Sequence, residues 1–347
     1  MNSRRFQQVS LTQSFSHAFL HLSTKDRYIA STRRKLLVSG AIGATGVAAA
    51  AAIPAISNDD GSAVAQQSAP TAAADDALSG QVAFVTGGAR GIGRAIAVAL
   101  AQSGADIAAV DILQDIEGHS VPLSSAEDMS QTQQLVEQTG RQFLAIEADV
   151  RDLAALQAAV AQTEETLGPI TILIANAGIN SNVGFLADDE SAWQNSWQTI
   201  TDVNVMGVAN TLRSALPGMS ERQQGRVIIT SSTFGRQGNG LNPAYVTSKW
   251  AVIGLMKAAA IEAGPSGITV NAIAPTAVRT GLGGPQTQEA RAESDEWLQA
   301  NYHQLPVGLL EPEDVAGTVV FLSSPAAANI TGVTIDVAAG ANARYTA

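Results

Sequence analysis

Tyr245 and Lys249 stand four residues apart in "AYVTSKWAVIGLMKAAAIEA", and Ser232 lies thirteen residues before the tyrosine, at the end of the apolar run "RVIITSS". On a helix a spacing of four puts both side chains on one face. A free tyrosine ionises near pH 10, and bringing that to about 7 takes roughly 4 kcal/mol of preference for the phenolate. One positive charge about 4 to 6 Å away supplies about 3 to 4 kcal/mol at the effective dielectric of a partly buried site. Lys249 is placed to be that charge; a Tyr and Lys at this spacing alone can equally be a surface pair, and Ser232 at the end of a strand pattern argues against that. Tyr245 is then expected to act as a general acid or base near neutral pH.

A second group of residues reads as a nucleotide loop. "VTGGARGIGRAI", residues 85 to 96, follows a β-branched run and opens a helical pattern. In that context glycines let backbone approach a pyrophosphate, and the helix N-terminus offers the positive end of its dipole. Gly87, Arg90, Gly91, Ile92 and Gly93 are the expected contacts. Asp111 ends the next strand pattern, where a carboxylate accepts from ribose hydroxyls and repels a 2′-phosphate. NAD is therefore expected over NADP, although Arg90 is a basic residue that could reach a 2′-phosphate or simply lie in solvent.

The elements that must carry these residues alternate strand and helix from Gln81 onward, which predicts βαβ units and a parallel sheet in a single domain. Strands are expected at 82–86, 106–111, 142–148, 170–176, 226–232, 268–274 and 333–337, and the first helix at 91–104. The longer segment after Asp111 contains Ser124 and Ser125, which can cap a helix from Ala126 with Glu127 and Asp128 in its first turn. The fold class expected is α/β, a Rossmann-type doubly wound parallel sheet.

Together these residues resemble the short-chain dehydrogenase/reductase family, over about Ser79 to Ala341. The loop Thr86 to Gly93, "ADV" at 148–150, Asn176-Ala177-Gly178, Asn204 in "DVNVMG", Ser232, Tyr245 with Lys249, "EPEDVA" at 311–316 and "ITG" at 330–332 occur in the family's order. The resemblance implies hydride transfer between NAD and a secondary alcohol or ketone, with Tyr245 as acid/base and Ser232 on the same oxygen. Lys249 would bind the nicotinamide ribose and lower the tyrosine's pKa, while Asn204 would hold a water in the proton relay. Asp149 and Val150 would flank the adenine, Asn176, Ala177 and Gly178 would back the cofactor, and Pro275, Thr276 and Val278 would contact it. A homo-oligomer, dimer or tetramer, is implied as well.

The insertion after Asp111 and Pro275-Thr276, where most members have Pro-Gly, are similar to the carveol-dehydrogenase-like, mycofactocin-coupled subgroup, which implies NAD held without exchange. A surface loop and a neutral replacement are the plainer readings of the same two details. An epimerase or dehydratase with retained NAD, or a cofactor-binding protein without turnover, is the alternative on this fold. The substrate is expected to be a mostly apolar alcohol, with Asn180, Phe185, Phe234, Leu282, Trp297, Tyr302 and Leu305 as candidate lining.

Upstream, residues 1 to 32 form a polar, basic leader, and Ser31 to Leu37 match the twin-arginine pattern through Arg33 and Arg34. No residue from Leu36 to Asn58 is charged. The domain reading is therefore a leader and export signal at 1–65, a linker at 66–79 and an NAD-binding catalytic domain at 80–347. Ala63-Val64-Ala65 fits cleavage, and the expected location is the periplasm, a retained membrane anchor or a cytoplasmic enzyme being the alternatives. Membrane contact is expected only through this segment.

Composition excludes other classes. The chain has 347 residues and a formal charge of -11. Residues 1–65 hold seven Lys or Arg against three Asp, so the rest carries 13 basic and 28 acidic residues, or -15. So acidic a body does not fit a nucleic-acid partner. Without cysteine there is no disulfide, thiolate nucleophile or cysteine metal site. His17, His21, His119 and His303 lack ligand spacing and read as packed or solvated, so no metal is expected.

Overall fold

The computed structural model describes residues 76–282 and 287–344. The leader, the twin-arginine pattern, the Ala63–Ala65 site and linker residues 66–75 lie outside the described residues. So do residues 283–286 within the chain.

Seven parallel strands form one sheet in the order β3-β2-β1-β4-β5-β6-β7. They are β1 (Val82–Thr86), β2 (Asp106–Asp111), β3 (Phe143–Glu147), β4 (Ile172–Ala175), β5 (Arg226–Thr230), β6 (Thr269–Pro275) and β7 (Thr334–Val337). Every expected strand is present: β1 and β2 have the expected bounds, and the ends of the other five differ from expectation by one or two residues, β6 running on to Pro275. The helices are α1 (Gly91–Gln102), α2 (Ala126–Glu137), α3 (Leu153–Thr166), α4 (Glu190–Thr201), α5 (Gly207–Glu221), α6 (Pro243–Ala263), α7 (Gln288–Asn301) and α8 (Pro312–Ser323).

The strands are apolar on both faces because both are covered. Val82 and Phe84 of β1 pack with α3, α5 and α6, whereas Ala83 and Val85 pack with α1, α2 and α8. This alternation is the period of two of a pleated strand, with neither side given to water. The order reverses between β1 and β4, so a crevice opens beyond their carboxyl ends, where open α/β sheets bind ligands. The glycine loop, Asp111, Asn176, Ser232 and Thr276 all follow strand ends at that edge.

Local capping fixes the insertion's exit. Ser125 accepts from the Asp128 backbone N–H while the Asp128 carboxylate accepts from that of Ser125, which closes a capping box on α2. At the start of the domain the structure corrects the linker boundary. Leu78 is 1% exposed and its N–H donates to the Ser103 carbonyl at 2.8 Å, because the end of α1 leaves both an acceptor and an apolar socket there. Replacing Leu78 by Ala is expected to cost about 2 to 5 kcal/mol through the cavity left behind. Chemical denaturation checks this: a linker residue would leave the urea midpoint unmoved.

Candidate active site

Tyr245 and Lys249 lie on the first two turns of α6, which starts with Pro243 at a first-turn position where no backbone N–H is needed. Both are buried, at 7% and 4% exposure. The Lys249 ammonium donates to the Thr230 carbonyl at the end of β5 at 2.9 Å and stands 5.5 Å from the centroid of the Tyr245 ring. Ser231 Oγ donates to the Lys249 carbonyl at 2.9 Å, which fastens the same turn of α6 to the segment after β5. Ser232 takes a hydrogen bond from the Phe234 N–H at 3.1 Å, and its hydroxyl favours the Tyr245 phenolate. Phe234 meets the tyrosine ring edge to face, with centroids 6.4 Å apart.

The electrostatics correct one expectation. Burial pushes Tyr245 up to about 12, the Ser232 hydrogen bond pulling the other way, and burial brings Lys249 down to about 8. Desolvation penalises phenolate and ammonium alike. The lysine also spends its hydrogen bond on Thr230 rather than on the phenol. Within the protein alone, then, Lys249 does not bring Tyr245 to neutrality.

Asn204 sits in a π-helical turn, Asp202–Met206, between α4 and α5, and is fully buried. Its amide donates to the Ile179 carbonyl at 2.9 Å and to Ser248 Oγ at 3.0 Å, and its Oδ1 accepts from the Ile179 N–H at 2.8 Å. Both amide hydrogens are spent, so its side chain is a brace between the chain after β4 and α6. The expected water relay therefore does not run through those hydrogens. A π-turn displaces backbone carbonyls from the ordinary helical ladder, a common device at functional sites.

The dinucleotide crevice is built from the other strand ends. Gly87 has φ +67, and a Cβ there would fall 2.8 Å from Ala177 Cα. At Gly93 a Cβ would meet the Gly87 carbonyl at 1.9 Å, so only glycine lets α1 close onto the loop. The N-terminus of α1 has no side-chain cap and no acidic residue in its first turn. That leaves its dipole for an anion, as a pyrophosphate requires. Arg94 donates to the Ala89 carbonyl through Nε at 3.1 Å and Nη2 at 2.8 Å, so α1 itself fixes the loop's shape.

Asp111 is held on three sides. Its carboxylate accepts from the Ala89 N–H at 3.0 Å, the Ile112 N–H at 2.9 Å and Ser124 Oγ at 2.5 Å. Asn176 spans three strands: its amide donates to the Thr86 and Gly87 carbonyls at 3.2 Å, and its Oδ1 accepts from Thr230 Oγ1 at 3.1 Å. Gly178 lies beside Asn204 Oδ1 and the Lys249 ammonium. The expected floor of the crevice is thus brought together with the tyrosine site.

Other expected residues take different places. Arg90 is half-buried, donates to the Pro122 carbonyl of the insertion at 2.7 Å and lies beside Gly281. The Asp149 carboxylate is engaged by Arg151 at 2.5 Å. The side chains of Val150 and Val278 are in the core, the latter bridged to Leu310. Pro275 ends β6, and Thr276 is not a neutral replacement, since Thr276 Oγ1 and His303 Nε2 are 2.9 Å apart. Phe185 and Leu305 are exposed, Phe185 against Trp197 on α4, while Asn180 accepts from Asn242 at 3.2 Å. Sequence reasoning missed Thr230, Ser248, Arg94 and His303. Ser248 falls one turn beyond Tyr245, but no local pattern says what it faces.

A buried lysine gives a signed prediction. With a folded pKa near 8 and an ordinary value near 10.5, Lys249 carries its burial penalty in full below pH 8. Between those values the unfolded chain binds more protons, so this penalty fades as pH rises. Lys249→Met is expected to raise the thermal midpoint at pH 7, with the difference from wild type closing between about pH 8 and 10.5. Melting curves across that range check the sign.

Comparison with known proteins places this arrangement. A family profile described as short chain dehydrogenase matches residues 81–291. The (-)-trans-carveol dehydrogenase of Rhodococcus erythropolis is 37% identical over 273 residues, covering 76% of this chain and 98% of that protein. The crystal structure of a carveol dehydrogenase from Mycobacterium avium in complex with NAD superposes with a TM-score of 0.72 at 35% identity, over 78% of this chain and all of that one. A levodione reductase structure gives a TM-score of 0.68 at 29% identity over 77% of this chain and all of its own.

Proposed function

Because the chain belongs to the short-chain dehydrogenase family, we propose that it transfers hydride between NAD and a mostly apolar secondary alcohol or ketone, with Tyr245 as acid/base. The enzyme class, a short-chain dehydrogenase acting on CH–OH groups, follows from that membership. NAD is the cofactor. The chain's own residues fit it: the uncapped α1 terminus receives the pyrophosphate, and Asp111 receives the adenosine ribose. Pinned by three donors, that carboxylate cannot swing away from a 2′-phosphate, whereas Arg90 is already committed to Pro122.

The observation that carries the reading is the buried Tyr245 with the Lys249 ammonium 5.5 Å from its ring centroid, beside the segment after β5 that carries Ser232 and Phe234. When bound, NAD supplies the hydride-accepting ring and its positive charge. Tyr245, raised to about 12, stays protonated through neutral pH and is a ready donor to a carbonyl oxygen held by Ser232. In the reverse direction Tyr245 takes the alcohol's proton only after the phenol has first lost its own proton to water. Phe234, packed on the tyrosine ring, gives the substrate oxygen an apolar wall. Tyr245→Phe is expected to lower turnover of a probe alcohol such as (-)-trans-carveol at least about a hundredfold, the lower range for general acid/base catalysis. Near-normal turnover in that variant would end the assignment.

The cofactor is held through turnover in this reading. What supports it is the insertion, closed against the glycine loop by Arg90 to Pro122 and by Ser124 to Asp111. A charge-assisted hydrogen bond contributes about 1.5 to 3 kcal/mol. Arg90→Ala is therefore expected to speed NAD loss on dialysis about tenfold or more, followed by mass spectrometry of the denatured protein. Wild type that loses its NAD within minutes would refute retention and leave the oxidoreductase reading intact.

A further inference from the structure

The helix α7 is poorly anchored by apolar burial, since Leu298 is its one buried residue among the described side chains. Its position must come from polar ties. Towards its C-terminal end, Asp295 accepts from Arg279 at 3.2 Å and from the Leu309 N–H at 2.7 Å. The second tie is less expected. His303, two residues beyond α7, is 5% exposed, and both of its ring nitrogens have partners. Nδ1 is 2.9 Å from the Val307 carbonyl, and Nε2 is 2.9 Å from Thr276 Oγ1.

The direction of this chain follows from donor chemistry. A carbonyl only accepts, so Nδ1 carries the proton; in the neutral ring Nε2 then accepts, and the Thr276 hydroxyl donates to it. Thr276 is itself fixed, its N–H donating to the Val337 carbonyl at 3.2 Å. It also follows directly on β6, beside the strand whose end carries Ser232. On the other side of the ring, Tyr302 contacts Gln237, in the segment that carries Ser232 and Phe234. The Gln304 and Leu305 N–H groups donate to the Ala339 carbonyl at 2.8 and 3.1 Å. The imidazole therefore joins the turn after α7 to the strand end at the catalytic edge.

We propose that His303 is a positioning residue: through Thr276 it latches Gln288–Leu310 against the catalytic edge of the sheet and thereby sets affinity for the alcohol. Thr276 is then the threonine that makes this latch possible, because glycine at that position offers no hydroxyl. The bond places the segment 288–310 without touching the reacting atoms. Its loss frees that segment before it slows the chemical step.

Hydrogen exchange on the full chain tests the latch without a substrate. His303→Leu and Thr276→Val are each expected to raise amide exchange within 288–310 about fivefold or more, with β1 and α8 unchanged. The double variant should exchange no faster than the faster single one, since either change breaks the same bond. Thr276→Ser, which keeps the hydroxyl, should exchange within about twofold of wild type. Unchanged exchange, a rise spread over β1 and α8, or additive effects would each overturn the latch. The affinity part rests on the proposed oxidoreductase reading and is measured with (-)-trans-carveol. His303→Leu should raise KM about fivefold or more with kcat within about threefold, and a fall in kcat at constant KM overturns it. Wild type that turns over no alcohol would instead refute the substrate reading, leaving the exchange result to decide the latch.

Discussion

The Lys249 ammonium is withdrawn from water into the junction of β5 and α6, and the Thr230 carbonyl receives it. A charge in that position is costly unless its hydrogen bonds are met in good geometry. Meeting them dictates where the first turns of α6 must lie, because the strand end and the helix have to approach closely enough for a 2.9 Å bond. Once α6 is there, Tyr245 stands against Ser232 and Phe234, and the Lys249 carbonyl falls within reach of Ser231. The Lys249–Thr230 bond thus fixes where the first turns of α6 meet the end of β5, at a cost in stability.

A second layer of side chains transmits this constraint. Ser248, on the same helix, receives the Asn204 amide, which also grips the backbone of Ile179 beyond β4. Asn176, three residues earlier, reaches back to the glycine loop and across to Thr230. Thr230 therefore serves both halves of the site, its carbonyl taking the lysine and its hydroxyl bonding Asn176. Dinucleotide crevice and proton-transfer group are tied by a continuous set of buried hydrogen bonds. Buried networks of this kind hold one arrangement and penalise others.

The outer edge of the crevice is organised by the insertion and by the segment after β6. Arg90 belongs to both, bonded to Pro122 and lying beside Gly281. A basic residue in the glycine loop is thereby engaged by the protein itself, while Asp111 at the end of β2 is held by three donors. At the other end, Thr276 and His303 do for the segment 288–310 what Arg90 does for the insertion. In each case a loop with little apolar content is located by a polar side chain at a strand end.

The sequence by itself determined the layers, the strands and which residues stand out as candidate reacting groups. A period of two with apolar residues on both faces demands a sheet covered on both sides, and the spacing of Tyr245 and Lys249 on a helix demands one face. Ser232 and Asp111 stood out because Asp111 ends β2 and Ser232 follows β5 by two residues, strands whose type the pattern already sets. The start of the fold was misread, since the isolated Leu78 in a polar stretch gives no periodic signal, and its burial depends on a socket made by α1. Tertiary structure alone decided what each polar side chain spends its hydrogen bonds on: Arg90 on Pro122, Asn204 on Ile179 and Ser248, His303 on Thr276 and Val307. It also decided that burial dominates the titration of Tyr245 and Lys249. The physical reason is range: helix and strand patterns are set by neighbours a few residues away. Desolvation and hydrogen-bond partnership depend on atoms brought together from positions 27 to 54 residues apart or more, as in Thr276 with His303 and Asn176 with Thr230.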